Sequence, residues 1–150
     1  MTMRFCYEIF YCNFQLLKIY PNSDKNLLKN GEYMRLSEVQ KILKATVLIG
    51  EAQMDKNITS AGAADLIEDL LSAAAKGCAL LTGVPSEQVI RTSKVVGVEM
   101  VCIVRGKVPP DSFIELARSC DIPVLLSQYS LFIACGRLYM NGIRGLDGSW

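Results

Sequence analysis

From Met34 onward, short apolar runs alternate with amphipathic helical patterns, and this alternation is the feature that most constrains the fold. The clearest helical pattern spans residues 64–76, where Leu66, Leu70 and Ala74 recur at intervals of four positions. An uninterrupted apolar run follows over residues 78–82, as is typical of a strand buried on both faces. Repetition of this unit predicts a small α/β domain, with a mostly parallel sheet of four or five strands flanked by helices.

The same patterns define the remaining predicted elements. Strands are predicted over residues 46–49, 57–61, 78–82, 98–104 and 123–126. Helices are predicted near a capping box at residues 37–40, over residues 64–76, from Ser86 to the residue before Gly97, from the Pro109-Pro110-Asp111 break to Ser119, and from Ser130 to Met140.

Residues 1–33 stand apart from this pattern, because they hold seven of the twelve aromatic residues and lack helical or strand periodicity. Two interpretations stay open. Residues 31–34 can be encoded by a purine-rich ribosome-binding sequence ahead of an ATG codon, which would place the natural start at Met34. Alternatively, residues 1–33 form a true extension that packs on the domain. We therefore divide the chain into an atypical extension at 1–33, an α/β domain at 34–143 and a loose tail at 144–150.

The charge balance and the absence of histidine exclude several classes of function. Sixteen basic residues stand against fifteen acidic ones, so no broad positive surface is available for nucleic acid. With no histidine in the chain, serine–histidine and cysteine–histidine nucleophile systems are excluded, and the commonest metal ligand is missing.

The six cysteines contain no C-x-x-C pair, which disfavours zinc and iron–sulfur sites. We interpret them as reduced thiols packed as small apolar side chains, and we expect no metal and no cofactor. The first twenty residues are a poor export signal because polar residues interrupt them, and no run is long enough to span a membrane. A cytoplasmic location, without a membrane partner, is therefore expected.

Polar residues follow three of the predicted strands, at the edge where parallel sheets bind their ligands. Backbone N–H groups at the following helices, together with the arginine and the lysine in the second group, favour an anion such as phosphate or carboxylate. The alternative, that these are ordinary strand-to-helix turns, stays open. The candidate ligand-binding residues are Thr82, Gly83, Arg105, Gly106, Lys107, Ser127, Tyr129 and Ser130.

Named phosphate-binding motifs are absent, because neither a G-x-x-x-x-G-K-[ST] loop nor a G-x-G-x-x-G fingerprint occurs. A P-loop kinase and an ordinary dinucleotide oxidoreductase are therefore disfavoured. Three acidic residues, Asp65, Glu68 and Asp69, share one face of the predicted helix at 64–76, and we interpret them as a solvated surface.

The last predicted helix is apolar nearly all round, and Arg137 is its one charged residue. Such a helix is either central in the core or part of an interface. In a chain of this size we favour the second reading, a homodimer contact formed by Leu131, Phe132, Cys135 and Tyr139.

Several segments resemble the DRTGG domain family, although those five letters do not occur as a contiguous string. The similarity spans roughly residues 34–143. The segments that carry it are residues 77–83 (GCALLTG), 89–92 (VIRT), 104–107 (VRGK), 122–132 (IPVLLSQYSLF) and 134–139 (ACGRLY), the last resembling a stand-alone branch of the family.

This resemblance implies a small α/β domain similar to the N-terminal domain of HPr kinase/phosphorylase, acting as a regulatory or dimerising module and not as a catalytic part. We expect a non-catalytic domain that binds a small anionic metabolite or nucleotide and forms a homodimer. One alternative is an interaction adaptor for a redox or hydrogenase assembly, since stand-alone relatives often accompany such genes. A second alternative is phosphotransfer, which the missing phosphate loop disfavours.

Overall fold

The computed structural model describes residues 33–145, except for the side chain of Ile67, so most of the predicted extension and residues 146–150 of the predicted tail lie outside it. The strands are β1 (Met34–Arg35), β2 (Thr46–Ile49), β3 (Asn57–Ile58), β4 (Ser60–Ala63), β5 (Cys78–Thr82), β6 (Met100–Ile103) and β7 (Val124–Leu126). The helices are α1 (Leu36–Leu43), α2 (Ile67–Ala73), α3 (Glu87–Val96), α4 (Asp111–Ser119) and α5 (Leu131–Met140), with one 3₁₀ turn at Glu51–Gln53. Among these helices, none has the length and apolar character needed to cross a bilayer.

Five strands form the main sheet in the order β2-β7-β6-β5-β4. The pairs β4–β5, β5–β6 and β6–β7 are parallel, whereas β2 joins the edge of the sheet antiparallel to β7. Strands β1 and β3 form a separate antiparallel pair. The predicted fold class, a small α/β domain with a mostly parallel sheet, is therefore confirmed.

Helices cover both faces of the main sheet. On one face, α1 and α5 pack on a cluster that includes Leu81 and Cys102. On the other face, α2, α3 and α4 pack on a cluster that includes Leu80 and Phe113. Strands β5 and β6 lie between these two layers with every residue buried, which explains their uninterrupted apolar sequences.

Helix α2 is shorter than its sequence pattern predicts. At its start, the Ala64 N–H donates to the Leu81 carbonyl at 3.1 Å and continues the β4–β5 ladder instead of entering the helix. At its end, the Ala75 N–H donates to the Cys78 Sγ at 3.3 Å. Because the N–H groups on both sides of the helix bond to groups of β5 and not to helix carbonyls, the helix covers Ile67–Ala73 and not residues 64–76.

The first helix also begins differently from its prediction. Its N-cap is Arg35, whose backbone N–H donates to the Glu38 carboxylate at 2.8 Å, so the capping box lies two residues before the predicted one at 37–40. The predicted strand at 57–61 divides into β3 and β4. These shifts leave the alternation of strands and helices intact.

Candidate functional site

The parallel arrangement brings the loops after β4, β5, β6 and β7 to one edge of the sheet. We call this the strand-end surface, formed by residues 64–66, 83–86, 104–110 and 127–130. Two backbone hydrogen bonds join its last two loops, from the Arg105 N–H to the Tyr129 carbonyl at 2.8 Å and from the Gly106 N–H to the Ser127 carbonyl at 2.9 Å. The three predicted polar groups therefore lie on neighbouring loops of a single surface.

The turn after β6 holds Arg105 in an unusual backbone conformation. Arg105 has a φ of 63° and Gly106 a φ of 62°, the consecutive positive values that a type I′ turn requires. Glycine adopts such a conformation freely, but a residue with a Cβ loses about 1–2 kcal/mol there. The two hydrogen bonds to the loop after β7 hold the turn in place, so the position of Arg105 is fixed by its surroundings.

The Arg105 side chain lies directly over Gly83, the residue that follows β5. A Cβ added to Gly83 would lie only 1.8 Å from the Arg105 Nη2, so glycine is what allows this close approach. The same Nη2 donates to the Asp65 carboxylate at 2.9 Å. Arg105 therefore contacts the loops after β4 and β5 through its side chain and the loop after β7 through its backbone.

Asp65 is the residue at this surface whose position the sequence patterns misplaced. It belongs to the loop after β4 and not to a solvated helical face. Its Oδ1 accepts hydrogen bonds from the Gly83 N–H at 2.6 Å and from the Thr82 hydroxyl at 3.4 Å. The available sequence signal was a carboxylate directly after a short strand, which parallel topology places at the ligand-binding edge.

Two of the predicted ligand residues hold the loops together through buried hydroxyl groups. Ser127 is fully buried, donates to the Leu43 carbonyl at 2.8 Å and accepts from the Tyr129 N–H at 3.3 Å. Thr82 is also fully buried, and its hydroxyl accepts from the Val84 N–H at 3.2 Å. These hydroxyl groups determine the shape of the surface and are not themselves open to solvent.

The other predicted residues lie closer to solvent. Lys107 is exposed, and within residues 33–145 its ammonium group has no ion pair or hydrogen bond. Ser130 caps α5, where its hydroxyl accepts from the Ile133 N–H at 3.3 Å. The Arg137 guanidinium lies 4.4 Å from the centre of the Tyr129 ring, a cation–π contact that sequence patterns did not indicate.

The predicted interface residues all lie on α5, with different degrees of exposure. Phe132 is 84% exposed and Tyr139 is 48% exposed, whereas Leu131 and Cys135 are half-buried against the core. Beside this helix, along the edge strand β4, the described residues form a mainly apolar groove of about 360 Å³. It is lined by Ala61, Gly62, Ala63, Leu81, Phe132, Cys135, Gly136, Leu138, Tyr139, Ile143, Arg144 and Gly145.

Three of the four thiols in the described part of the chain, those of Cys78, Cys102 and Cys135, are poorly suited to metal binding or nucleophilic attack. Burial raises the pKa of Cys102 to about 12, and burial also raises the pKa of Cys78 and Cys135. Each therefore stays protonated near neutral pH, whereas the thiolate is the reactive and metal-binding form. Across residues 33–145, no three His, Cys, Asp or Glu side chains cluster in a way that could hold a metal ion.

Comparison with known proteins gives a match in structure alone. No protein-family model and no curated protein matches the sequence. The structure is similar to that of the CBS and DRTGG domains of the regulatory region of Clostridium perfringens pyrophosphatase, crystallised with its activator diadenosine tetraphosphate. The TM-score is 0.61 at 19% sequence identity, and the match covers 86% of this chain but 57% of that one. At this identity the likeness establishes the fold, and the protein therefore has a DRTGG-like α/β fold.

Proposed function

We propose that this protein is a non-catalytic regulatory domain that binds a small anionic metabolite or nucleotide at the strand-end surface. The observation that carries the proposal is the position of Arg105, whose backbone and side chain together contact the three other loops of that surface. A residue held in a strained conformation over a glycine is positioned in advance to meet a ligand.

The charges of the strand-end surface favour an anion. The Arg105 guanidinium carries five N–H donors and uses Nη2 on Asp65, so further donors remain for a ligand. Lys107 adds an exposed ammonium group two residues later. The start of α3 adds backbone N–H groups with partial positive charge, since its N-cap residue Ser86 makes no side-chain capping bond.

The structural neighbour supports a regulatory role of this kind, because it is a regulatory region crystallised with a nucleotide activator. This chain spans little more than half of that neighbour. We therefore expect this chain to bind a ligand of the same class, an anionic nucleotide or a related phosphate compound. The residues assigned to the site come from the geometry of this chain alone.

We expect the Arg105→Met variant to bind inorganic pyrophosphate or ATP at least about tenfold more weakly than the wild type, because a charge-assisted hydrogen bond is worth about 1.5–3 kcal/mol. Isothermal titration calorimetry measures the loss, and thermal unfolding with excess ligand checks it, since a ligand at 100 times its Kd stabilises by about 2.7 kcal/mol. The matched control is Arg118→Met, which removes the same charge from the last turn of α4, outside the strand-end surface. Equal affinities for both variants would contradict the proposed site.

We further propose that the domain forms a homodimer through α5. Phe132 presents a large apolar surface to solvent, and an apolar patch of this kind is typical of an interaction surface. A Cβ added to Gly136, one turn further along, meets nothing within 4 Å, so a second helix can approach closely at that point. The groove of about 360 Å³ beside Phe132 offers space for an apolar side chain of the second copy.

The Phe132→Asp variant is expected to be monomeric at concentrations where the wild type is dimeric, because dimerisation would bury an unpaired carboxylate. Sedimentation velocity measures the two states. The matched control Val95→Asp places a carboxylate at an equally exposed position, on α3, and should leave the dimer intact. A wild-type chain that stays monomeric at all concentrations would rule out the homodimer.

The same exposed face of α5 favours a second candidate function, an adaptor that docks on a redox-protein or hydrogenase partner. The two candidates differ in what occupies the face. Co-purification of such a partner with a monomeric wild type, lost on Phe132→Asp, would favour the adaptor over self-association. Phosphotransfer remains the least supported activity, because no phosphate-binding loop motif occurs in the sequence.

A further inference from the structure

We propose that Asp65 is an internal competitor for the strand-end surface, so that an external anion binds there by displacing the Asp65 carboxylate. This inference rests on the proposed function, because it concerns the regulation of the same site. It adds that the Asp65 carboxylate occupies the anion-binding position when no external anion is bound. The groups that the Asp65 carboxylate contacts support this role.

The Asp65 carboxylate occupies a set of hydrogen-bond donors suited to an anionic ligand. Its Oδ1 lies 2.6 Å from the backbone nitrogen of Gly83, and its Oδ2 lies 2.9 Å from the Nη2 of Arg105. The Thr82 hydroxyl adds a longer contact of 3.4 Å. A backbone N–H and a guanidinium are also groups that bind phosphate oxygens in proteins. A phosphate at this position would therefore compete with Asp65 for the same donors.

The contact between Asp65 and Arg105 is exposed enough for an external anion to replace the carboxylate. The Asp65 side chain is 36% exposed and that of Arg105 is 44% exposed, so water can replace the lost contacts when the carboxylate leaves. Ion pairs as exposed as this one contribute little net stability, so displacing the Asp65 carboxylate costs little free energy. A multiply charged anion has an advantage over the single carboxylate, because it can also attract Lys107, to which Asp65 makes no contact in the described structure.

Displacement of Asp65 would act on α2, which begins two residues later. The other end of this helix is held against the sheet, because Gly62 and the Ala73 carbonyl approach so closely that an added Cβ would lie 1.5 Å from that oxygen. Ala64 is held by its hydrogen bond to the Leu81 carbonyl, so we expect the movement to involve residues 65–66 and the first turn of the helix. In this way, occupancy of the strand-end surface would be transmitted to Leu66, the N-cap residue of α2, whose side chain is 62% exposed.

The test compares pyrophosphate binding by the wild type, Asp65→Asn and the matched control Asp69→Asn, using calorimetry at fixed ionic strength. Asparagine keeps the size of the side chain but lacks the charge that pairs with Arg105. We expect Asp65→Asn to bind pyrophosphate up to about fivefold more tightly than the wild type, the gain that corresponds to losing a competing ion pair as exposed as this one. Asp69 is exposed on α2, so Asp69→Asn removes the same charge without changing the donor set and should match the wild type.

Each outcome has a defined meaning. Equal or weaker binding by Asp65→Asn overturns this inference, while binding by the wild type leaves the proposed function standing. A similar gain in Asp69→Asn also overturns it, since the effect would be one of net charge. Absence of binding in all three proteins overturns both proposals. The wild type offers a test without substitution, because pyrophosphate should shift the NMR signal of the Gly83 amide, and an unshifted amide at saturation would overturn the inference.

Discussion

Replacement of Phe113 by alanine is expected to lower the free energy of unfolding by about 3–5 kcal/mol. Phe113 lies on α4 with no exposed surface and is among the largest fully buried side chains of the described structure. It packs in the cluster between α3, α4 and the sheet, together with Ile90 and Val101. Truncation removes apolar contacts and leaves a cavity that the surrounding strands and helices cannot easily fill.

Urea denaturation measures this loss as a lower midpoint with an unchanged slope. The control is Val108→Ala, which shortens an apolar side chain that is 79% exposed and should change stability by less than about 0.5 kcal/mol. A Phe113→Ala protein that unfolds at the same urea concentration as the wild type would contradict the assignment of this helix face to the core.

The order of elements could be predicted from sequence because each buried strand is an uninterrupted apolar run. Residues 78–82 and 100–103 lack polar alternation since both of their faces are covered by helices. The order of strands in the sheet could not be derived in the same way. The antiparallel pairing of β2 with β7 joins segments about eighty residues apart, and nothing in either segment specifies that partner.

Helix α2 shows where periodicity misleads. Leu66 and Leu71 fit the apolar stripe of the predicted helix, yet both are more than half exposed. Only local patterns enter such a prediction, whereas the ends of α2 are decided by contacts with β5, through Leu81 and Cys78. Tertiary hydrogen bonds therefore override helix propensity at both ends.

The location of the candidate site was easier to predict than its internal contacts. Parallel strands necessarily bring their carboxyl ends to one edge, so Gly83 and Arg105 could be placed together. The partner of Arg105 could not be predicted, since Asp65 lies forty residues earlier in the chain. The same limit applies to Ser127, whose hydroxyl bonds to the carbonyl of Leu43, eighty-four residues away, instead of facing solvent.

The second large effect expected is a loss of stability at alkaline pH that depends on Cys102. Burial raises the pKa of this thiol from 9.0 to about 12 in the folded protein. Below pH 9 the thiol is protonated in both the folded and the unfolded states, so its contribution to stability is fully present. Between pH 9 and about 12 the unfolded chain ionises while the folded chain does not, and the free energy of unfolding falls by about 1.36 kcal/mol for each pH unit.

Urea denaturation at neutral pH and at about pH 10.5 should therefore show a loss of about 2 kcal/mol that is attributable to this one thiol. Comparison of the wild type with the Cys102→Ala variant isolates the loss caused by Cys102, because the ionisation of lysine and tyrosine affects the two proteins equally. Burial also raises the pKa of Cys78 and Cys135, so the variant keeps part of the alkaline loss and only the difference between the two proteins is diagnostic. Identical pH profiles for the two proteins would show that water reaches the Cys102 thiol and that α5 does not exclude water from this face of the sheet.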